Sequence, residues 1–167
     1  VSDHHEALLP NPDIEAGLVS LLNYLELMID SVTSLFDTGL ERYKAGEGPE
    51  TLIPVFKEVC DRAPKIAAAW SCLAWLYLLD DKPEQAYKVA LKGVKLDQNA
   101  PQGRINLAVA MLETGQTGVR QHIELVKQLI ATDPEARQDL DESIEDGLRR
   151  KPDWESLNRV KKWLSQR

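Results

Sequence analysis

The stretch WSCLAWLY at residues 70–77 sets Trp70, Leu73, Ala74 and Tyr77 at spacings of three and four, with Ala86 and Ala90 following. Apolar and small residues at that interval share one side of an α-helix. The pattern returns with a 34-residue period, for one step back puts Phe36, Leu40 and Tyr43 at the Trp, Ala and Tyr positions, then Leu52, Phe56 and Val59, and closes on Pro64. One step forward gives Leu107, Ala108 and Met111. His122, Val126 and Leu129 return to register after two extra residues in the turn at 113–118, closing on Asp133-Pro134. A turn absorbs such an insertion at little entropic cost. A further unit from Arg137 stays in frame with Leu140, Ile144 and Leu148, then Ser156, Val160 and Trp163. Such a period implies stacked helical units, none of which buries its apolar face alone.

Helical spacing also stands apart from the period: Tyr87, Ala90, Leu91 and Val94 repeat every three or four residues, as do Ile123, Val126 and Ile130. No segment alternates with period two. Prolines fall near helix starts at Pro49, Pro83 and Pro152, where a missing N–H costs little. Pro54 lies about a turn inside its helix, so it is expected to bend that helix or delay its start.

These residues carry a resemblance. The spacing W-x-x-L-[GA]-x-x-Y, the later alanines and the closing proline resemble the tetratricopeptide repeat. The resemblance implies an all-α, right-handed solenoid of antiparallel helical hairpins. Repeats cover residues 33–136, a degenerate capping repeat residues 137–167, a heptad-patterned helix residues 13–32 and a mobile N-terminus residues 1–12. Gly39, Arg104, Gly93 and Gln98 depart from the repeat pattern, which predicts loosened local contacts there. The family's concave face, carried over position by position, runs through Trp75, Leu78, Leu79, Ile105, Asn106, Val109 and Leu112 at its apolar middle, with acidic ends. The subgroup that grips a chaperone's terminal carboxylate needs basic residues where this chain has Asp37, Ser71, Gln102 and Ile105, so that clamp is not expected. The apolar strip is expected to receive an apolar helix or peptide, with Asn106 hydrogen-bonding its backbone, unless the chain's own N-terminal extension covers it.

That extension carries the second signal: Ile14, Leu18, Leu21, Leu25, Met28, Val32 and Leu35 follow a 4-3-4-3-4-3 spacing, a heptad seam flanked by Leu22, Ile29 and Phe36. It either continues into the first repeat as one rod or breaks at Asp30-Ser31, where residues of weak helix preference meet. Packing on the first repeat, filling the groove, or pairing with a second copy would each cover it. The last makes a homodimerisation module the alternative function.

With 167 residues, 43% of them hydrophobic, the chain can bury a core as one domain. No apolar run approaches a membrane span, and no direct membrane insertion is expected. Cys60 and Cys72 make no disulfide framework, which predicts a reducing, cytoplasmic or similar soluble compartment. The chain begins at Val1, as a trimmed product would. Its net charge of −7 conceals a basic tail at residues 149–167, expected to be a solvated capping helix, since the rest of the chain repels a polyanion. No nucleic-acid partner follows. His4, His5 and His122 are too scattered for a metal site, and no phosphate loop, nucleophile elbow or zinc motif occurs. The expectation is a binding protein without catalytic residues, cofactor or metal, whose partner is a protein or peptide.

Overall fold

The structure is a computed structural model and describes residues 11–166. Residues 1–10, with His4 and His5 and most of the expected mobile N-terminus, lie outside the described residues. Eight helices follow one another: α1 Pro12–Lys44, α2 Pro49–Arg62, α3 Ala67–Leu79, α4 Pro83–Leu96, α5 Pro101–Glu113, α6 Val119–Ala131, α7 Pro134–Arg150 and α8 Glu155–Ser165. No strand occurs among the described residues. Five helices, α1, α2, α4, α5 and α7, open with proline in the first turn, and the side chains of Asn11 and Asp133 accept backbone N–H groups of Asp13 and Ala136 at the starts of α1 and α7. Each of these starts spends a donorless residue or a capping oxygen where helical N–H groups lack partners. α2 begins at Pro49 and runs on through Pro54 to Arg62, so its start is not delayed.

Consecutive helices from α1 to α6 pack as antiparallel hairpins, and α3 lies beside α5. One apolar core joins α1, α2 and α3 through Val32, Leu52, Phe56, Val59 and Leu73; a larger one joins α3 to α8. Two departures from the repeat pattern tighten the packing rather than loosen it. A Cβ on Gly39 would stand 2.9 Å from the Phe56 ring, and one on Gly93 would stand 3.3 Å from Trp70 Cβ. Glycine there lets helices approach further than a larger residue would allow.

α1 is unbroken at Asp30-Ser31 and, at 33 residues, about 50 Å long. The heptad-patterned stretch and the first repeat helix are therefore one rod. Only its C-terminal part joins the core. Residues 12–31 are exposed throughout, so within one chain the seam neither packs on the first repeat nor enters the groove. By length and composition α1 could cross a membrane, which corrects the expectation drawn from unbroken apolar runs. Yet Glu15, Asn23, Glu26 and Asp30 share one face at helical spacing, so the helix is amphipathic.

The C-terminal hairpin does not simply extend the stack. α8 packs on α5 and α6, while the end of α7 crosses the concave side to reach α3 and the end of α1. Two residues of the basic tail serve this closure: Arg150 donates to the Tyr43 carbonyl at 2.6 Å, and Lys151 to Asp81 and to the Leu78 carbonyl; within the hairpin, Lys161 pairs with Glu145. Arg159 lies over the Trp163 ring. Arg149, Arg159, Lys161 and Lys162 are exposed, so the tail is solvated apart from Arg150 and Lys151.

Candidate functional site

The concave side of the stack is formed by α1, α3 and α5, and the structure brings the expected groove residues together there but covers most of them. Leu78, Ile105 and Val109 are fully buried, Trp75 and Asn106 nearly so, and Leu79 and Leu112 are half-buried against the larger core. The cover is the chain's own C-terminal hairpin, not the N-terminal extension. Gly147 of α7 permits it: a Cβ at that position would fall 2.6 Å from the Trp75 ring. Trp154, at the start of α8, then lies 5.1 Å from Trp75 between ring centroids, and its indole N–H donates to Glu113 at 2.8 Å.

Asn106 is likewise not free to bind a partner's backbone. Its Nδ2 donates to the carbonyl and hydroxyl oxygens of Ser71 at 2.9 and 3.0 Å, and its Oδ1 accepts from Gln102 at 2.7 Å. A buried amide without partners would cost about 1–3 kcal/mol, so these bonds make Asn106 a tie between α3 and α5.

What stays open is a cleft of about 170 Å³ beneath α7, walled by Leu40, Tyr43, Phe56, Cys72, Trp75 and Leu76, with Ser71, Gln102, Asn106 and Ser143 as its polar groups. Of the expected strip, only Trp75 and Asn106 line it. Leu40, Tyr43 and Phe56 stood in the sequence as packing positions. Ser143 was not singled out, although it falls between Leu140 and Gly147 on the stripe that α7 turns inward.

A polar cluster closes one wall of the cleft. The Tyr43 hydroxyl donates to Asp146 and accepts from the Trp75 indole at 2.9 Å, while the Arg150 guanidinium lies 3.7 Å from the centre of the Tyr43 ring and donates to Asp146 at 3.0 Å. Burial, then the carboxylate of Asp146, hold the Tyr43 phenol well above its ordinary value, so it stays a donor. Burial pushes the thiols of Cys60 and Cys72 up to about 12, which leaves them protonated and poor nucleophiles at neutral pH. His122 Nδ1 accepts from the Arg104 guanidinium at 3.0 Å on the convex side; burial, then that guanidinium, lower its pKa and favour the neutral ring. Among the described residues, no group of three or more His, Cys, Asp or Glu could hold a metal ion. The cleft offers shape, apolar surface and a few amide and hydroxyl groups.

A closed stack of tetratricopeptide-like hairpins with such a cleft is the class the fold defines. No family model matches the chain, and no curated protein does. Its fold is shared with solved type III secretion proteins. The translocator chaperone SycD of Yersinia enterocolitica is 19% identical with a TM-score of 0.61, over 87% of this chain and 94% of that one. A type III secretion complex from Aeromonas hydrophila is 20% identical with a TM-score of 0.61, over 91% and 99%. PcrH from Pseudomonas aeruginosa is 19% identical with a TM-score of 0.60, over 81% and 89%. SycD has also been solved with a peptide of the translocator YopD, and PcrH with the chaperone-binding region of PopD.

Proposed function

We propose that this protein is a non-catalytic scaffold or assembly chaperone that captures an extended segment of another protein by seating one large apolar side chain in the cleft beneath α7. The observation that carries this is the cleft itself. Its walls are aromatic and aliphatic, its volume of about 170 Å³ suits one leucine-sized or phenylalanine-sized group, and Gln102 and Ser143 stand beside it to meet a peptide backbone. An extended peptide gains affinity from main-chain hydrogen bonds and specificity from such side-chain pockets. Chaperones of the same fold that hold translocator peptides support the reading. The partner here is an apolar protein segment. A reducing, soluble compartment suits two protonated thiols that form no disulfide.

The test is selection of displayed random peptides on the purified protein, repeated with Ser143→Trp, which fills the cleft from a half-buried position. Selected peptides should share one large apolar anchor, and the variant should lose them while keeping its Tm. Absence of any anchor, or peptides that bind the variant equally well, would overturn the reading.

A further inference from the structure

Ten of the twelve large apolar side chains left exposed among the described residues lie on α1, between Ile14 and Ile29. Leu18, Leu21, Leu22, Leu25, Met28 and Ile29 share one face of it, each 41% to 64% exposed. Together with Ile14 that face offers on the order of 600 Å² of apolar surface, near the ~800 Å² per partner of a standard interface. The charges sit elsewhere. In the heptad register with Leu18 and Leu25 at one core position and Ile14, Leu21 and Met28 at the other, the flanking positions hold Glu15, Leu22 and Ile29 on one side and Gly17, Tyr24 and Ser31 on the other. Flanks uncharged from Gly17 to Ser31, with Glu15 the one charge at the helix start, neither repel a second copy along the seam nor select an oppositely charged partner helix. The polar face is acidic, with no Lys or Arg between residues 11 and 41, so an anionic lipid surface is not complementary to it.

A second feature sets the direction of pairing. Where α1 meets the end of α2, an apolar notch opens between Tyr24, Leu25, Met28 and Ile29 on one side and Ala63 and Ile66 on the other, with Arg62, half-exposed and paired with Glu58 at 2.5 Å, at its edge. Ile66 is itself 38% exposed. Among the described residues the N-terminal end of α1 has no such neighbour, and it carries Asp13 and Glu15. A parallel pair would bring these acids together and leave both notches open. An antiparallel pair centred between Leu21 and Leu22 sets Ile14 against Ile29 and Leu18 against Leu25, and delivers the acidic end of each helix to the notch and Arg62 of the other copy. One symmetric contact thereby fills both sites.

We propose that the exposed half of α1 binds a second copy of this chain as an antiparallel helix pair, each N-terminal end seated in the notch beside Ile66 of the other copy. This does not depend on the cleft beneath α7. Light scattering of the whole chain between 10 and 100 µM, a range on the order of typical weak-dimer constants, should give twice the chain mass. Leu18→Glu with Leu25→Glu should give a monomer of unchanged helical content. Arg62→Glu should weaken the dimer about tenfold, a loss usual for one close charge pair, and adding Glu15→Arg should restore it. In a Cys72→Ser background, Leu21→Cys should oxidise to a linked dimer, whereas Ile14→Cys should link only together with Ile29→Cys. A monomer at every concentration overturns the proposal, as does ready linkage of Ile14→Cys alone, the mark of a parallel pair. A monomeric protein that partitions onto phosphatidylcholine vesicles also overturns it, by showing lipid to be the occupant.

Discussion

The two halves of α1 have the same apolar spacing and different surroundings. From Val32 onward the stripe packs against Leu52, Phe56 and Leu73, with Gly39 pressed on the Phe56 ring. From Ile14 to Ile29 the same rhythm stays exposed, meeting among the described residues only the rim of the notch at Ala63 and Ile66. Periodicity therefore records that a helix face must be covered, but the cover itself depends on what lies elsewhere in the fold or in another molecule.

Substitution of one apolar side chain in each half gives the largest contrast. Phe56→Ala, opening a cavity under the packed half, should cost about 3–5 kcal/mol by denaturant unfolding. Leu25→Ala should change the stability of a monomeric variant by less than about 0.5 kcal/mol; equal losses would show that the exposed half is packed after all. The glycines should differ in sign. Gly39→Ala has to displace a buried ring and should cost about 1–3 kcal/mol, whereas Gly17→Ala, with nothing within 4 Å of the new methyl, should stabilise the helix by about 0.5–1 kcal/mol. The smallest effect concerns the C-terminal cover. Burial raises the pKa of Glu113, although it accepts from the Trp154 indole. A folded pKa above the unfolded one means that stability falls as pH rises through that interval. Glu113→Gln keeps the acceptor without the charge, so its Tm should exceed that of the parent slightly at pH 7, with the gain vanishing as pH drops below the ordinary carboxylate range. A gain that persists in acid would show that packing, not charge, is responsible.

Much of the hairpin order was legible because Trp70, Ala74, Tyr77 and their counterparts are packing residues, and packing is what spacing encodes. The concave strip was harder. Positional transfer sets Leu78, Ile105 and Val109 on the inner side and presumes that this side stays open, whereas all three are buried in the larger core. The return of α7 depends on Gly147 lying flat on Trp75, a contact between residues 72 positions apart. Asn106 misled for a similar reason, since its partner Ser71 is on another helix, 35 residues away. Gly39 and Gly93 read as weak points because a missing side chain looks like missing contact, until the neighbouring ring or helix is seen to fill the space.

Tyr43 donates its hydroxyl to Asp146 and accepts from Arg150 at its carbonyl, hydrogen bonds that join positions 103 and 107 residues apart. An open repeat array can fray from either end, its stability being roughly a sum over neighbours. Here the last hairpin is fastened to the first, so fraying at one terminus breaks contacts at the other, and the ends should unfold together. The same fastening sets an order during synthesis: from the emergence of α3 until α7 leaves the ribosome, Trp75 and its neighbours stand uncovered, and the nascent chain carries its inner face bare.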